Sequence, residues 1–111
     1  MQATLVEIPV QEIVDWDSFH AVFQATLGFP EYYGRNLNAW IDCMVSIDQP
    51  AAGMTSITVE PGALLVLSMG GSEDFRRRCP EQYEALVGCV ADVNQDRVSG
   101  GLPPVLALVF A

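Results

Sequence analysis

The residues best suited to chemistry lie in one stretch, Phe29–Cys43, in which a loop containing a glycine leads into a helix with a polar face. The loop carries the adjacent pair Tyr32 and Tyr33, and the helix carries Asn38 and Asp42 one turn apart. Tyrosines provide large, rigid contact areas, and an exposed carboxylate can enter a basic pocket in place of a phosphate. The stretch contains no nucleophile beside a base, so these residue types favour binding over catalysis. Taken alone, they also fit half-buried tyrosines that anchor the loop beside an ordinary surface acid.

The rest of the chain lacks the groupings that catalysis or metal binding requires. His20 is the only histidine, and no cysteine stands at metal-ligand spacing from it. The pairs Gly70-Gly71 and Gly100-Gly101 are not followed by the Lys-Ser/Thr signature of a phosphate-binding loop. Glu73 and Asp74 are adjacent, so on a helix they point in different directions, which suits capping better than acid–base work. We therefore expect a protein that is not an enzyme and has no cofactor and no metal site.

The charge is strongly acidic, with 14 Asp and Glu residues against five basic residues and a net charge of −9. Such a surface repels nucleic acid, whose binding needs a basic footprint, and it repels anionic membranes. It accelerates the encounter with a basic protein, because the summed charge steers association. Solubility alone also explains an acidic surface. The charge therefore excludes nucleic acid and membranes as partners and permits a basic protein.

The only basic cluster is the run Arg76-Arg77-Arg78. Consecutive residues spread over a wide arc of a helix, so these side chains do not form one clamp for a phosphate. We expect a solvated face in which they pair with Glu73, Asp74 or Glu81.

Length and cysteine usage indicate one small domain, 1–111, in a reducing compartment. Half of the residues are hydrophobic, yet no apolar run is long enough to cross a bilayer, and the N-terminus lacks the pattern of a signal peptide. The cysteines Cys43, Cys79 and Cys89 are odd in number and widely spaced, which argues against a disulfide framework. We expect a cytoplasmic protein that is a monomer when free.

Hydrophobic periodicity predicts the element order strand, helix, helix, strand, helix, helix, strand. The predicted strands are Thr4–Ile8, Ala63–Ser68 and Val105–Phe110, with a further short extended piece at Thr55–Val59. The predicted helices run from Asp15 to Gly28, from Asn36 onward, from a Ser72 cap, and from Pro80 to Gly100. Continuous apolar strands separated by helical crossovers favour a parallel sheet in a small α/β domain, and the apolar run of the middle strand predicts cover on both faces.

The helix that begins at Asn36 has two faces. Its apolar side carries Leu37, Trp40, Ile41, Met44 and Val45. Its polar side carries Arg35, Asn38, Ala39, Asp42 and Ser46, at helical spacing. Because Asn38 and Asp42 point the same way into solvent, the loop and this polar side form one continuous candidate surface.

The same stretch resembles the barstar family of intracellular ribonuclease inhibitors. The family shares a Pro-Glu-Tyr-Tyr-Gly loop, an Asn-Leu pair and a Trp, Asp and Cys near the helix middle. Here these are Pro30–Gly34, Asn36-Leu37, Trp40 and Asp42-Cys43, so Phe29–Met44 matches at motif quality. The resemblance implies a barstar-like three-layer α/β fold, in which a small three-stranded parallel sheet packs with helices.

The resemblance also implies a function. Members of the family are similar to proteins that plug the active site of a basic bacterial ribonuclease, so this chain would be a non-catalytic, immunity-type inhibitor. By that likeness Tyr32 would lie against the catalytic site and Asp42 would take the place of the substrate phosphate. The implied partner-binding residues are Tyr32, Tyr33, Gly34, Asn36, Asn38, Ile41 and Asp42. Of these, Tyr33, Gly34 and Asn36 would support the other two.

Three departures from the family pattern keep an alternative open. Asn38 stands where barstar carries an aspartate, Arg35 replaces an acid, and Ile41 replaces a tryptophan. A further acid that barstar uses on its last long helix has only candidates here, which are Glu81, Glu84 and Asp92. The face thus loses two negative charges and gains a positive one. The alternative is a barstar-like interaction module whose partner is not a ribonuclease.

Overall fold

Residues 2–111 are described in a computed structural model of the chain. The strands are β1 (Ala3–Glu7), β2 (Leu64–Met69) and β3 (Leu106–Phe110), and the helices are α1 (Trp16–Leu27), α2 (Leu37–Met44), α3 (Ser72–Arg78) and α4 (Pro80–Ser99). Two single turns of 3-10 helix, Val10–Glu12 and Pro50–Ala52, lie in the connections. The element order is the predicted one.

The three strands form one sheet in the order β1-β2-β3, and both pairings are parallel. The register places Leu5 beside Val66, and Val66 beside Ala107. Parallel neighbours require crossover connections, and α1 with α2, then α3 with α4, supply them. The α/β fold with a small three-stranded parallel sheet packed with helices is confirmed.

The two faces of the sheet differ in burial. Leu65, Leu67 and Met69 are fully buried, whereas Val66 on the opposite face is only half-buried. On that same face Leu5 is 60% exposed and Val109 is 41% exposed. Right-handed crossovers that always advance in one direction place their helices on one side of a sheet. On β2 itself the second face is half-buried at Val66 and buried at Ser68, so β2 is covered fully on one face and partly on the other, and the exposure is at the edge strands β1 and β3.

The segment Thr55–Val59, predicted as a short extended piece, pairs with no strand in the part of the chain that the structure describes. Its backbone bonds to other loops and helix ends: the Ser56 amide donates to the Leu27 carbonyl at 2.9 Å. The segment crosses α1 at Gly28, which has a φ of 71° and where a Cβ atom would lie 2.1 Å from Ser56 Oγ. Only glycine fits this crossing, which closes the end of α1 directly before the candidate loop.

The start of α3 also differs from the prediction. Gly71 is the N-cap, and Ser72 is the first helical residue rather than the cap. The Ser72 amide and hydroxyl both donate to the carbonyl of Ala111, at 3.1 and 3.2 Å. This contact joins the end of β3 to the start of α3, so a distant carbonyl substitutes for local side-chain capping.

The arginine run forms the expected ion pairs. Arg76 lies 3.6 Å from Glu73, and Arg77 and Arg78 lie 3.7 and 2.6 Å from Asp74. Arg78 also donates to the Ile13 carbonyl at 2.9 Å, which fastens α3 to the connection after β1. The three arginines therefore form their contacts within the protein, with Glu73, Asp74 and the Ile13 carbonyl.

Candidate protein-binding surface

The candidate surface begins with residues 29–36, which we call the binding loop, and continues along α2. Asn36 caps α2, because its Oδ1 accepts from the Ala39 amide at 2.8 Å. Its Nδ2 donates to the Gly34 carbonyl at 3.2 Å. One side chain therefore fixes the angle between the binding loop and α2, and the predicted cap at Asn36 is confirmed.

Two side chains dominate the exposed part of this surface. Tyr32 is 76% exposed, and its hydroxyl touches Met54 Sδ at 3.7 Å. Asp42 is exposed on α2 one turn after Asn38, and it forms no salt bridge within residues 2–111. An aromatic ring and an unpaired carboxylate are thus presented to solvent together.

Tyr33 has the opposite environment to Tyr32, although the two are adjacent. It is only 6% exposed, and its hydroxyl lies 2.6 Å from Nδ1 of His20. Its ring lies 4.8 Å from the ring of Phe29. Burial, together with the nearby Cys43 and Cys89 thiols, raises the pKa of Tyr33 well above its usual value, so it stays protonated. Tyr33 anchors the loop from beneath.

The other residues of the predicted set lie at different depths. Gly34, Asn36 and Asn38 are exposed, and Ile41 is half-buried against the core. The side chain of Trp40, one place before Ile41, is fully buried and meets the ring of Phe23 edge-on at 5.6 Å. The large aromatic group of α2 therefore belongs to the core, and Ile41 presents a smaller apolar area to the surface.

Arg35 is the one residue other than glycine with a left-handed backbone, at a φ of 52°, in the described part of the chain. Its guanidinium donates to Asp17 Oδ1 at 2.7 Å and to the Asp17 carbonyl at 2.9 Å. The positive charge of Arg35 is thus paired with an acid of α1.

A shallow pocket of about 170 Å³ joins the binding loop to α2. Tyr32 and Met54 form part of its wall, Ala39 and Cys43 line it, and Asp42 contributes the carboxylate. Larger clefts of about 570 and 710 Å³ lie at the two ends of the sheet, and their linings include none of the predicted site residues. The small pocket therefore brings the exposed Tyr32 and the unpaired Asp42 to one place on the surface.

A family model described as Barstar (barnase inhibitor) matches residues 3–108, nearly the whole chain. The chain belongs to the Barstar family. No curated protein sequence matches it. The Barstar family is a family of ribonuclease inhibitors rather than of enzymes.

The remaining reactive side chains of this Barstar-family protein are protected by burial. Cys43, Cys79 and Cys89 are free and buried. Desolvation raises the pKa of Cys43 and of Cys89 to about 11, so both thiols are almost fully protonated at neutral pH. Across residues 2–111 the structure shows no cluster of three metal-ligating side chains, and none of its helices has the length and apolar character that a membrane crossing needs.

Two groups of residues that hold the surface in place were not predicted from the sequence. The first is the polar face of α1, made of Asp17, His20 and Gln24, and its spacing of three and four residues beside an apolar stripe was a usable signal. The second is the buried pair of Arg97 and Asp48, whose atoms lie 2.7 Å apart. No local signal marks that pair, since its members are 49 residues apart.

Proposed function

We propose that this Barstar-family protein binds a basic bacterial ribonuclease and blocks its active site through Tyr32 and the polar face of α2. The observation that carries the proposal is the pairing of an exposed Tyr32 ring with the unpaired Asp42 carboxylate around one pocket. In the proposed complex Tyr32 lies against the catalytic site and Asp42 takes the place of a substrate phosphate.

The rigidity of the surface supports tight binding. Tyr33 is buried, Asn36 caps α2, and Gln24 Nε2 donates to the Pro30 carbonyl at 2.9 Å. A surface that is ordered before the encounter loses little entropy when it binds. Tyr32 can therefore act as a rigid aromatic anchor, the type of residue that is enriched among binding hot spots.

The charge distribution supports a basic partner. The chain carries a net charge of −9, and Arg35 is paired with Asp17. A basic ribonuclease would be steered towards this protein at low ionic strength, and Asp42 would meet its cationic groups without competition from a salt bridge. We include Asn38 in the contact, since it is exposed one turn before Asp42.

The test is calorimetric titration against a panel of basic bacterial ribonucleases, with an RNA cleavage assay run in parallel. We expect one-to-one binding and loss of cleavage with at least one enzyme. Asp42→Ala and Tyr32→Ala should each weaken binding by about 30-fold or more, as hot-spot residues do. Glu60→Ala removes an exposed acid outside this surface and should leave binding nearly unchanged. The proposal is wrong if no ribonuclease binds, or if Asp42→Ala binds as tightly as the parent.

A second candidate function is an interaction module whose partner is not a ribonuclease. Asn38 and the half-buried Ile41 favour it, because they give α2 less charge and less exposed aromatic area than the family pattern. Affinity capture from a lysate with mass spectrometry separates the two functions. The second function would be supported if the parent forms a stoichiometric complex that the Tyr32→Ala variant does not form, and if the parent inhibits no ribonuclease.

We also propose that the chain acts in the cytoplasm as a single domain over 1–111 that is monomeric when free. An inhibitor of a secreted nuclease is useful before secretion, in the compartment where the nuclease is made. Three free buried cysteines suit that reducing compartment. Light scattering at micromolar concentration should give the mass of one chain, 12.1 kDa. A mass of two chains would contradict the monomer.

A further inference from the structure

We propose that the polar face of α1, made of Asp17, His20 and Gln24, holds the binding loop in its conformation before a partner binds. Arg35 is the positioning residue in the loop. The contacts between α1 and the loop support the fixed loop conformation in the free protein. The expected effect on partner binding rests on the function proposed above. The structure directs the partly exposed side chain of Arg35 along the protein's own surface towards Asp17 of α1.

Three side-chain contacts join successive turns of α1 to the binding loop. Gln24 Nε2 donates to the Pro30 carbonyl at 2.9 Å, His20 Nδ1 lies 2.6 Å from the Tyr33 hydroxyl, and Asp17 accepts from Arg35 at 2.7 Å. The three α1 residues are spaced at i, i+3 and i+7, so they share one face of the helix. They meet the loop residues in reverse order, so the loop runs antiparallel to α1 and is held along its length.

Of the three loop residues, Arg35 has the backbone conformation that most depends on stabilising side-chain contacts. Its backbone is left-handed, at a φ of 52°, a conformation that residues with side chains seldom adopt without compensating contacts. Its guanidinium supplies them: two bonds reach Asp17, and a longer one of 3.4 Å reaches Gln24 Oε1. Together these contacts stabilise the turn between Gly34 and the Asn36 cap.

The pairing also determines the charge that a partner meets. An unpaired arginine between Tyr32 and Asp42 in sequence would repel a basic protein. Asp17 neutralises Arg35, whereas Asp42 stays free of salt bridges in the described residues. Arg35 therefore favours binding of a basic partner through the position it gives to Tyr32, without a contact of its own.

The deciding experiment is native-state amide hydrogen exchange by NMR on the free protein. The Tyr33 amide, which donates to the Pro30 carbonyl at 2.9 Å, reports on the loop, and the Leu65 amide, which donates to the Val105 carbonyl at 2.8 Å, reports on the sheet. Arg35→Ala should speed exchange at Tyr33 by about fivefold to tenfold, and Asp17→Ala by about twofold to fivefold, since the ion pair is exposed. Exchange at Leu65 should not change. Glu60→Ala is the charge-matched control for Asp17→Ala.

Rescue separates positioning from a general structural role. Arg35→Lys keeps the charge that Asp17 binds, so it should restore part of the protection at Tyr33. With a ribonuclease that binds the parent, measured near 0.5 M salt where charge steering is screened, Arg35→Ala should raise the dissociation rate by a similar factor and leave the association rate unchanged. Unchanged exchange at Tyr33, or equal acceleration at Tyr33 and Leu65, overturns the inference. The exchange measurement decides even when no ribonuclease binds, so it fails independently of the proposed function.

Discussion

The hydroxyl of Tyr33 lies 2.6 Å from Nδ1 of His20, and this bond fixes the binding loop to the middle of α1. Both groups are buried, and the two ring centroids are 5.6 Å apart. The bond lets two adjacent tyrosines serve different purposes, since the one that is held inward leaves the other free to project outward.

Tyr33→Phe should lower the free energy of unfolding by about 1–2 kcal/mol, because it leaves a buried nitrogen of His20 without its partner. Tyr32→Phe is the matched control, since its hydroxyl is exposed and makes only a 3.7 Å contact with sulfur. We expect a change within about 0.5 kcal/mol for the control. Urea unfolding followed by circular dichroism measures both. Equal stability of the two variants would show that the contact with His20 contributes nothing.

Protonation of His20 should destabilise the fold. Desolvation lowers the pKa of His20 below its usual 6.5, and the positive charge of Arg35 adds to the effect while Asp17 opposes it. The unfolded chain therefore binds a proton at a higher pH than the folded one, so the free energy of unfolding is unaffected by His20 above pH 6.5 and falls between pH 6.5 and the lower pKa of the folded state. Urea unfolding from pH 8 to pH 5 should show the decline. His20→Asn should flatten it, and parallel curves for parent and variant would refute this assignment.

The buried pair of Arg97 and Asp48 should be costly to break. Arg97 is 2% exposed, holds Asp48 with two bonds of 3.0 and 2.7 Å, and donates to the carbonyls of Val45 and Pro103. Arg97→Ala should lower the free energy of unfolding by about 3–5 kcal/mol, because an uncompensated charge stays buried. Arg76→Ala, at an exposed ion pair of 3.6 Å, should cost less than about 1 kcal/mol. Similar losses of stability in the two variants would contradict the assignment of the larger loss to burial of the ion pair.

Asn38→Asp should increase the affinity for a basic ribonuclease that binds the parent. The new carboxylate lies in the first turn of α2, where a negative charge is also favourable for the helix. We expect the association rate to rise by about twofold to fivefold at low salt, and the gain to vanish near 0.5 M salt as the charges are screened. Stopped-flow fluorescence measures these rates. Gln11→Asp, outside the binding loop and α2, is the charge-matched control, and an equal gain there would assign the effect to net charge alone.

Much of the fold could be predicted from local patterns. The cap at Asn36, the proline at the start of α4 and the glycine that ends α1 depend on residues within one turn of each other. The parallel direction of the strands could be predicted, because the apolar strands are separated by helices that can serve as crossover connections. The extended piece Thr55–Val59 does not join the sheet, because the amides of Ser56 and Val59 donate to the carbonyls of Leu27 and Ile47 instead, which no local pattern predicts.

The candidate surface divides in the same way. The sequence by itself determined that a tyrosine-rich loop precedes a polar helix face with Asp42, because a spacing of three or four residues decides which side chains share a face of a helix. Only the tertiary structure decided that Tyr33 is buried and Tyr32 exposed, that Arg35 is paired with Asp17, and that one face of the sheet is exposed at its edge strands. The physical reason is that these outcomes depend on contacts between residues far apart in the chain, and identical side chains acquire different roles only when the packing around them differs.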